Sequence, residues 1–263
     1  TQNSSLQGQL WLDDCLVDLS APSGLPADAG GVVLYQAEQP RLADLAIRGG
    51  RSGLRLVAPE SPRLRDISAS AATDAGLGVR LSRGQVDAQS LVLEAAGRVA
   101  LELIDVAQVW LHRSELRGAP TAVRVIDKGG RDPIAPVELR LGGSPGEGNV
   151  LAATGANALE MVNERMDGQA MPDLDARDND WGSPYGPEIE DRIRHQADEV
   201  RLGHVDYLPA LGAPATVQVD ATPAELEADG MSRAQVRALV QDAAGRPASD
   251  RALALFQTTA GLL

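Results

Sequence analysis

Residues 179–207, NDWGSPYGPEIEDRIRHQADEVRLGHVDY, are the most telling stretch of this chain. An Asn-Asp-Trp-Gly turn at 179–182 leads to Gly186-Pro187, which opens a short helix because proline carries a helical φ and lacks an N–H that the first helical position does not need. The helix runs out near Arg194-His195, and Gly203-His204-Val205-Asp206-Tyr207 then reads as a strand, with Pro209 just beyond it. Before position 187 no apolar spacing of helical type persists over the dozen residues a helix needs.

Upstream, an apolar-x-apolar unit returns at a nearly fixed interval. Its members are Leu10-Trp11-Leu12, Val32-Val33-Leu34, Leu54-Arg55-Leu56, Val79-Arg80-Leu81, Leu101-Glu102-Leu103, Val123-Arg124-Val125 and Leu159-Glu160-Met161. A period of about 20 to 30 residues marks stacked supersecondary units. Strand side chains alternate between faces, so the flanking members point inward as aliphatic ladders and the central ones point out. The expected outward stack is Trp11, Val33, Arg55, Arg80, Glu102, Arg124 and Glu160, with alternating charge from Arg80 onward. Leu45-Ala46-Ile47, Leu91-Val92-Leu93, Val109-Trp110-Leu111 and Leu139-Arg140-Leu141 supply further strands, separated by Gly, Pro, Asp and Ser that bend the chain. The one long step, from 123 to 159, holds Pro133, Pro136 and GGSPGEG at 142–148 and reads as a loop bulging from one coil. A leucine-rich repeat shares the period, but its recurring Asn is missing.

Asn179, Trp181, Gly182, Gly186, Pro187, Ile189, Ile193, Gly203, Val205, Asp206, Tyr207 and Pro209 sit where bacterial right-handed parallel β-helices of the pectate-lyase-like type place their closing segment. The resemblance implies an all-β fold: a right-handed parallel β-helix over 1–210 with its short closing helix inside 179–210. Asn179, Trp181, Gly182, Asp206 and Tyr207 would be its structural closing residues. Residues 215–263 resemble the opening strands of the bacterial immunoglobulin-like domains of invasin- and intimin-type proteins. Val217, Val219, Pro223, Ala228, Asp229, Gly230, Asp242, Gly245, Pro247 and Thr258-Thr259-Ala260-Gly261 carry that likeness, with Ala234, Val236, Ala238 and Val240 in strand alternation. The competing reading of 224–246 is a helix, because Ala, Glu, Leu and Arg favour one. Such a sandwich needs about seven strands, so a partial β-sandwich is expected, open to strand complementation by copies of the chain. At the other end, no covering helix precedes Leu10, and a start partway along a longer solenoid is expected.

Composition narrows the function. With three Trp, three Tyr and one Phe, the core must be aliphatic. A net charge of −13 argues against nucleic acid, which demands a basic surface. No apolar run is long enough to span a bilayer, so no membrane insertion is expected. Cys15, the single cysteine, is expected as a small buried group of the first coil.

Trp110 and His112 are the ligand-binding candidates, because Val109 and Leu111 would point inward and leave the indole outside beside His112, unless a neighbouring loop at 128–136 covers it. No cofactor is expected and no metal site is assigned, with Asp173, Asp175 and Asp178 as candidates for calcium; acidic loops before a closing turn also cap backbone donors. His195 reads as a partner for the dipole of the short helix. No catalytic set is assigned. The company of a β-helix and an invasin-type module points to a non-enzymatic extracellular or cell-surface module of adhesive or structural type, with a glycan, a surface protein or copies of itself as partner. The alternative is a carbohydrate-active enzyme, a polysaccharide lyase or hydrolase, working near 128–148 or 173–180.

Overall fold

A computed structural model describes residues 11–19, 31–95, 97–131, 136–225, 231–242 and 245–248. Leu10, Pro133, Ala228-Asp229-Gly230 and Thr258-Thr259-Ala260-Gly261 lie outside the described residues. The chain is all-β, with three parallel sheets that successive strands visit in rotation. The first sheet has eight strands: Trp11–Leu12, Arg41–Ala43, Arg63–Arg65, Gln85–Gln89, Gln108–His112, Glu138–Leu141, Leu174–Asp175 and Val205–Asp206. The second has six, from Cys15–Leu19 to Val150–Ala152, and the third has seven, from Val32–Tyr35 to Ile193–Arg194.

Period-two alternation explains the packing. In register, Leu12, Leu42, Leu64, Ala88, Leu111 and Leu141 form one inward ladder of the first sheet. Val17, Ile47, Ala69, Leu93, Leu116 and Leu151 form that of the second. Leu54, Leu77, Leu101, Val123, Leu159 and Ile193 form one of the third. From Leu42 onward these ladders belong to one buried core. At the entry to the third sheet the circuits come too close for a side chain: a Cβ on Gly53 would meet the Gly76 carbonyl oxygen at 2.5 Å.

Two expected rungs are misplaced. Trp11 pairs with Arg41 in the first sheet, not with the row of Val33. In the third sheet Leu54, Arg55 and Leu56 face Leu77, Gly78 and Val79, so the unit is Leu77-Gly78-Val79, two residues earlier than Val79-Arg80-Leu81. A two-residue slip preserves which side chains face in, and alternation alone cannot detect it. Leu81 lies beyond its strand with φ 55. The outward row is therefore Val33, Arg55, Gly78, Glu102, Arg124, Glu160 and Arg194. The expected attraction between neighbours holds at its end, where Arg124 and Arg194 donate to the two carboxylate oxygens of Glu160 at 2.8 and 3.3 Å.

The long step is not one loop. Glu138–Leu141 returns to the first sheet inside it, and residues 142–149 turn before Val150–Ala152 joins the second. Buried polar side chains hold that corner. Asn179 donates to the carbonyls of Leu141 and Ala176 at 2.6 and 2.7 Å, and its Oδ1 accepts from the Asn149 amide and side chain at 2.7 and 2.9 Å. Asn149 donates to the Leu111 carbonyl and accepts from the Ser114 amide, both at 3.0 Å. Trp181 is fully buried just after Asn179, and Gly182 takes φ 76, as a turn there requires. The helix is Gly186–Glu190, with Pro187 in its first turn and Ile189 buried.

Residues Thr216–Thr222 and Gln235–Gln241 form an antiparallel pair. The two-residue spacing of Val236, Ala238 and Val240 thus describes a strand, and the helical reading of that stretch is overturned. No helix among the described residues is long and apolar enough to cross a membrane.

The register makes a direct prediction: Leu77→Ala lowers unfolding stability by about 2 to 5 kcal/mol, as core leucine truncations do, whereas Leu81→Ala costs under about 1 kcal/mol. Equilibrium urea titration of both variants checks it. Asn179→Ala strands several buried groups and is expected to cost roughly 3 kcal/mol or more, read from the same titration.

Candidate functional site

The outer face of the first sheet gathers the charged and aromatic side chains that the inward ladders leave outside. In register from one end to the other it presents Trp11, Arg41, Arg63, Asp87, Trp110, Arg140, Asp175 and Asp206. Parallel strands lie about 4.8 Å apart, so these groups form a continuous row along the stacking direction.

Trp110 does point outward, but it is not the open indole that alternation predicted. It is half-buried, stacked on the His112 ring with centroids 4.6 Å apart, and the Arg140 guanidinium lies 5.5 Å from the indole centroid. Its Nε1 is buried without a partner. His112 is buried too, held between two carboxylates: Nδ1 meets Glu147 in a short contact, and Nε2 lies 3.5 Å from Asp87. Asp87 in turn receives both terminal nitrogens of Arg65, at 3.0 and 2.6 Å, and Glu147 receives Arg113 at 2.6 Å. Glu147 comes from the Gly-rich turn of 142–148, so the bulge carries a carboxylate back onto the face.

Burial raises the Asp87 carboxyl, but the Arg65 fork and then His112 outweigh it and leave it below its ordinary value. Glu147 is lowered likewise, with burial opposed by Arg113 and His112. Asp175 is lowered chiefly by its hydrogen bonds from Arg177.

Beyond Trp110 the face opens into a cleft of about 580 Å³ lined by Glu138, Arg140, Asp173, Asp175, Arg177, His204 and Asp206. Asp206, expected as a closing residue, is exposed there with Arg177 3.5 Å away. Tyr207 does turn toward the core, and its hydroxyl is pushed up to about 12 by burial and by Glu190.

The three calcium candidates do not converge. Asp173 caps the His204 amide at 2.8 Å and Asp175 is taken up by Arg177. Asp178 is buried at a corner with φ 59, and its carboxyl is raised by burial first, with Asp175 and Asp242 adding to the rise. Among the described residues, no three His, Cys, Asp or Glu side chains are placed to hold a metal ion.

His195 does not serve the helix dipole. It is buried beyond the helix, its Nε2 2.8 Å from Glu190 and its Nδ1 accepting from the Val205 amide at 3.1 Å. That pairing makes it a strut of the closing segment, because the accepting Nδ1 leaves the proton on Nε2 for Glu190. Cys15 is half-buried rather than buried, its thiol donating to the Asp13 carbonyl at 3.2 Å.

Sequence reasoning missed Trp11, Arg41, Arg63, Asp87, Glu147 and Arg177 as members of one face. Only the register could have shown it. Compared with protein-family models, curated proteins and solved structures, the chain gives no significant match.

The depressed carboxylates fix a pH dependence. A carboxyl lowered on folding contributes stability that is present above its unfolded value and is lost as pH falls through the folded one. Stability should therefore hold at mildly acidic pH and drop as pH falls below the ordinary carboxylate range. Glu147→Gln should flatten that drop, as read from urea midpoints between pH 2 and pH 6.

Proposed function

We propose that this chain is a non-enzymatic, extracellular binding module of a bacterial surface or secreted protein, which holds an extended glycan along the outer face of its first sheet. The single observation that carries the reading is the row itself. From Trp11 to Arg140 the outward groups run indole, guanidinium, guanidinium, the Asp87 carboxylate, indole and guanidinium, and the row ends in an open cleft. Elongated ligands fit repeated outward positions on stacked strands, and indole and arginine are the side chains that anchor binding faces most effectively.

On this reading the three parallel sheets are the walls of a right-handed β-helix spanning 1–210. The strand rotation supports it, together with the general right-handedness of parallel crossovers. The antiparallel pair at 216–222 and 235–241 supports an immunoglobulin-like beginning for the tail.

A binding role fits the electrostatics better than hydrolysis by a general acid. A general acid works with a carboxyl raised toward neutral pH, whereas Asp87, Glu147 and Asp175 on this face are all lowered by basic partners. Asp178, the raised carboxyl, is buried and does not line the cleft.

The test is a glycan array probed with the whole chain and with Trp110→Ala and Trp110→Phe. Trp110→Ala should weaken binding about tenfold or more, the scale of a central anchor, while Trp110→Phe retains most of it. Unchanged binding by Trp110→Ala, or shortened glycan chains after incubation, would refute the reading.

A further inference from the structure

Both ring nitrogens of His112 are turned toward carboxylates, although its side chain is only 8% exposed. Nδ1 meets Glu147 in a short contact, and Nε2, which makes no hydrogen bond, lies 3.5 Å from Asp87. Only the imidazolium carries an N–H at both ends. Neutral imidazole carries one N–H and one lone pair, and a lone pair facing a carboxylate is repelled. The cradle therefore fits the charged ring. Neither acid readily eases the mismatch by taking a proton itself, because burial raises both carboxyls but Arg65 and His112 outweigh it at Asp87, and Arg113 and His112 at Glu147. Gln89, the register partner of His112, brings no charge. The charged groups around the ring are thus Asp87, Glu147, Arg65 and Arg113, with Arg140 at the indole.

Trp110 supplies the second observation. Its ring lies on the His112 ring with centroids 4.6 Å apart and planes 16° from parallel. Among the described residues its buried Nε1 has no acceptor, so no hydrogen bond fixes the indole. Its position rests on the imidazole stack and on the Arg140 guanidinium 5.5 Å from its centroid. A shift of His112 therefore passes directly to Trp110.

We infer that His112 is a positioning residue that makes ligand binding at Trp110 depend on pH: protonated and held between Glu147 and Asp87 it fixes the indole on the outer face, and loss of its proton frees the indole. This rests on the reading of Trp110 as the anchor of a glycan surface. On deprotonation, the proton leaves to solvent, and the remaining N–H stays with Glu147, the shorter contact. The lone pair of Nε2 is then left toward Asp87, and the ring pivots away from it. Both carboxylates keep their arginines, so the turn at 142–148 stays in place. A mobile indole must be ordered again when ligand binds, which weakens affinity roughly two- to tenfold. In acid the cradle fails from the other side, as Asp87 and Glu147 take up protons, so binding is strongest between the two limits.

The device is tested first without ligand. Acrylamide quenching of fluorescence is followed from pH 5 to pH 9 in Trp11→Phe, whose remaining indoles are Trp110 and the fully buried Trp181. Circular dichroism at each pH verifies the fold. Quenching should rise with pH, with the same midpoint as loss of the His112 ring proton seen by nitrogen NMR of histidine-labelled protein. Added to that background, His112→Phe keeps an aromatic stack but has no proton to lose, so its profile should be flat. Glu147→Gln removes an anion from the cradle, so its midpoint should move to lower pH. A flat profile in Trp11→Phe, pH dependence that survives His112→Phe, or a midpoint that Glu147→Gln leaves in place overturns the inference. On the glycan array, the natural chain should bind roughly two- to tenfold more weakly at pH 9 than at pH 6, and His112→Phe equally at both. If glycan binding depends on Trp110 but not on pH, the glycan reading stands and this inference fails. If quenching follows His112 while Trp110→Ala binds glycan unchanged, the positioning of Trp110 stands and the glycan reading fails.

Discussion

Register between one circuit of strands and the next is the constraint on which everything else depends. Parallel pairing satisfies the backbone donors and acceptors of each short strand only through its neighbours above and below. A two- or three-residue strand such as Leu174–Asp175 has no independent reason to exist; it is fixed by Leu139 and Arg140 on one side and Val205 and Asp206 on the other. Because register is shared, a leucine that packs at one level forces an aliphatic side chain beneath it, and the ladders follow. The same pairing orders the outside, placing arginine on arginine at 41 and 63 and glutamate between arginines at 124, 160 and 194.

The bulge at 128–149 shows how such a stack tolerates an insertion. The extra residues leave the third sheet after Asp127, return for Glu138–Leu141, and turn again before Val150. At the second turn the ordinary ladder of amides is interrupted, and Asn149 and Asn179 replace it with side-chain donors and acceptors that reach Leu111, Ser114, Leu141 and Ala176. Buried amides satisfied on both ends of the side chain stabilise a corner that backbone pairing alone would leave with orphaned groups. The insertion also delivers Glu147 to His112 and Arg113, so one local excursion serves both the corner and the outer face.

How much of this was legible follows from which signals survive a shift in register. Inward residues of the third sheet such as Leu54, Leu56, Leu101 and Val123 were readable, because alternation and period agree there. The tail strands were readable from Val236, Ala238 and Val240, and the helix from Gly186-Pro187. What failed was phase. Val79-Arg80-Leu81 has the same apolar-x-apolar form as Leu77-Gly78-Val79, and a glycine in the outward position hides the true unit. Trp11 fell into the wrong sheet because triplets of that form occur on more than one wall of the stack. Trp110 was rightly sent outward, yet its burial depends on His112 and Arg140, and the latter is 30 residues away in sequence. Glu147 and Asp87 were invisible as partners of His112 for the same reason.

Two faces of one stack treat charge in opposite ways. On the third sheet Glu160 lies between Arg124 and Arg194, its side chain 15% exposed, and Arg194 also meets Glu199 at 3.4 Å, so two carboxylates balance the two guanidinium groups. On the first sheet His112, Asp87, Glu147, Arg65 and Arg113 close on one another around Trp110, while Arg41 and Arg63, the latter beside Asp87 in register, form no ion pair among the described residues. A compensated cluster fixes the geometry of the aromatic ring, since His112, Asp87 and Glu147 are each held by two partners.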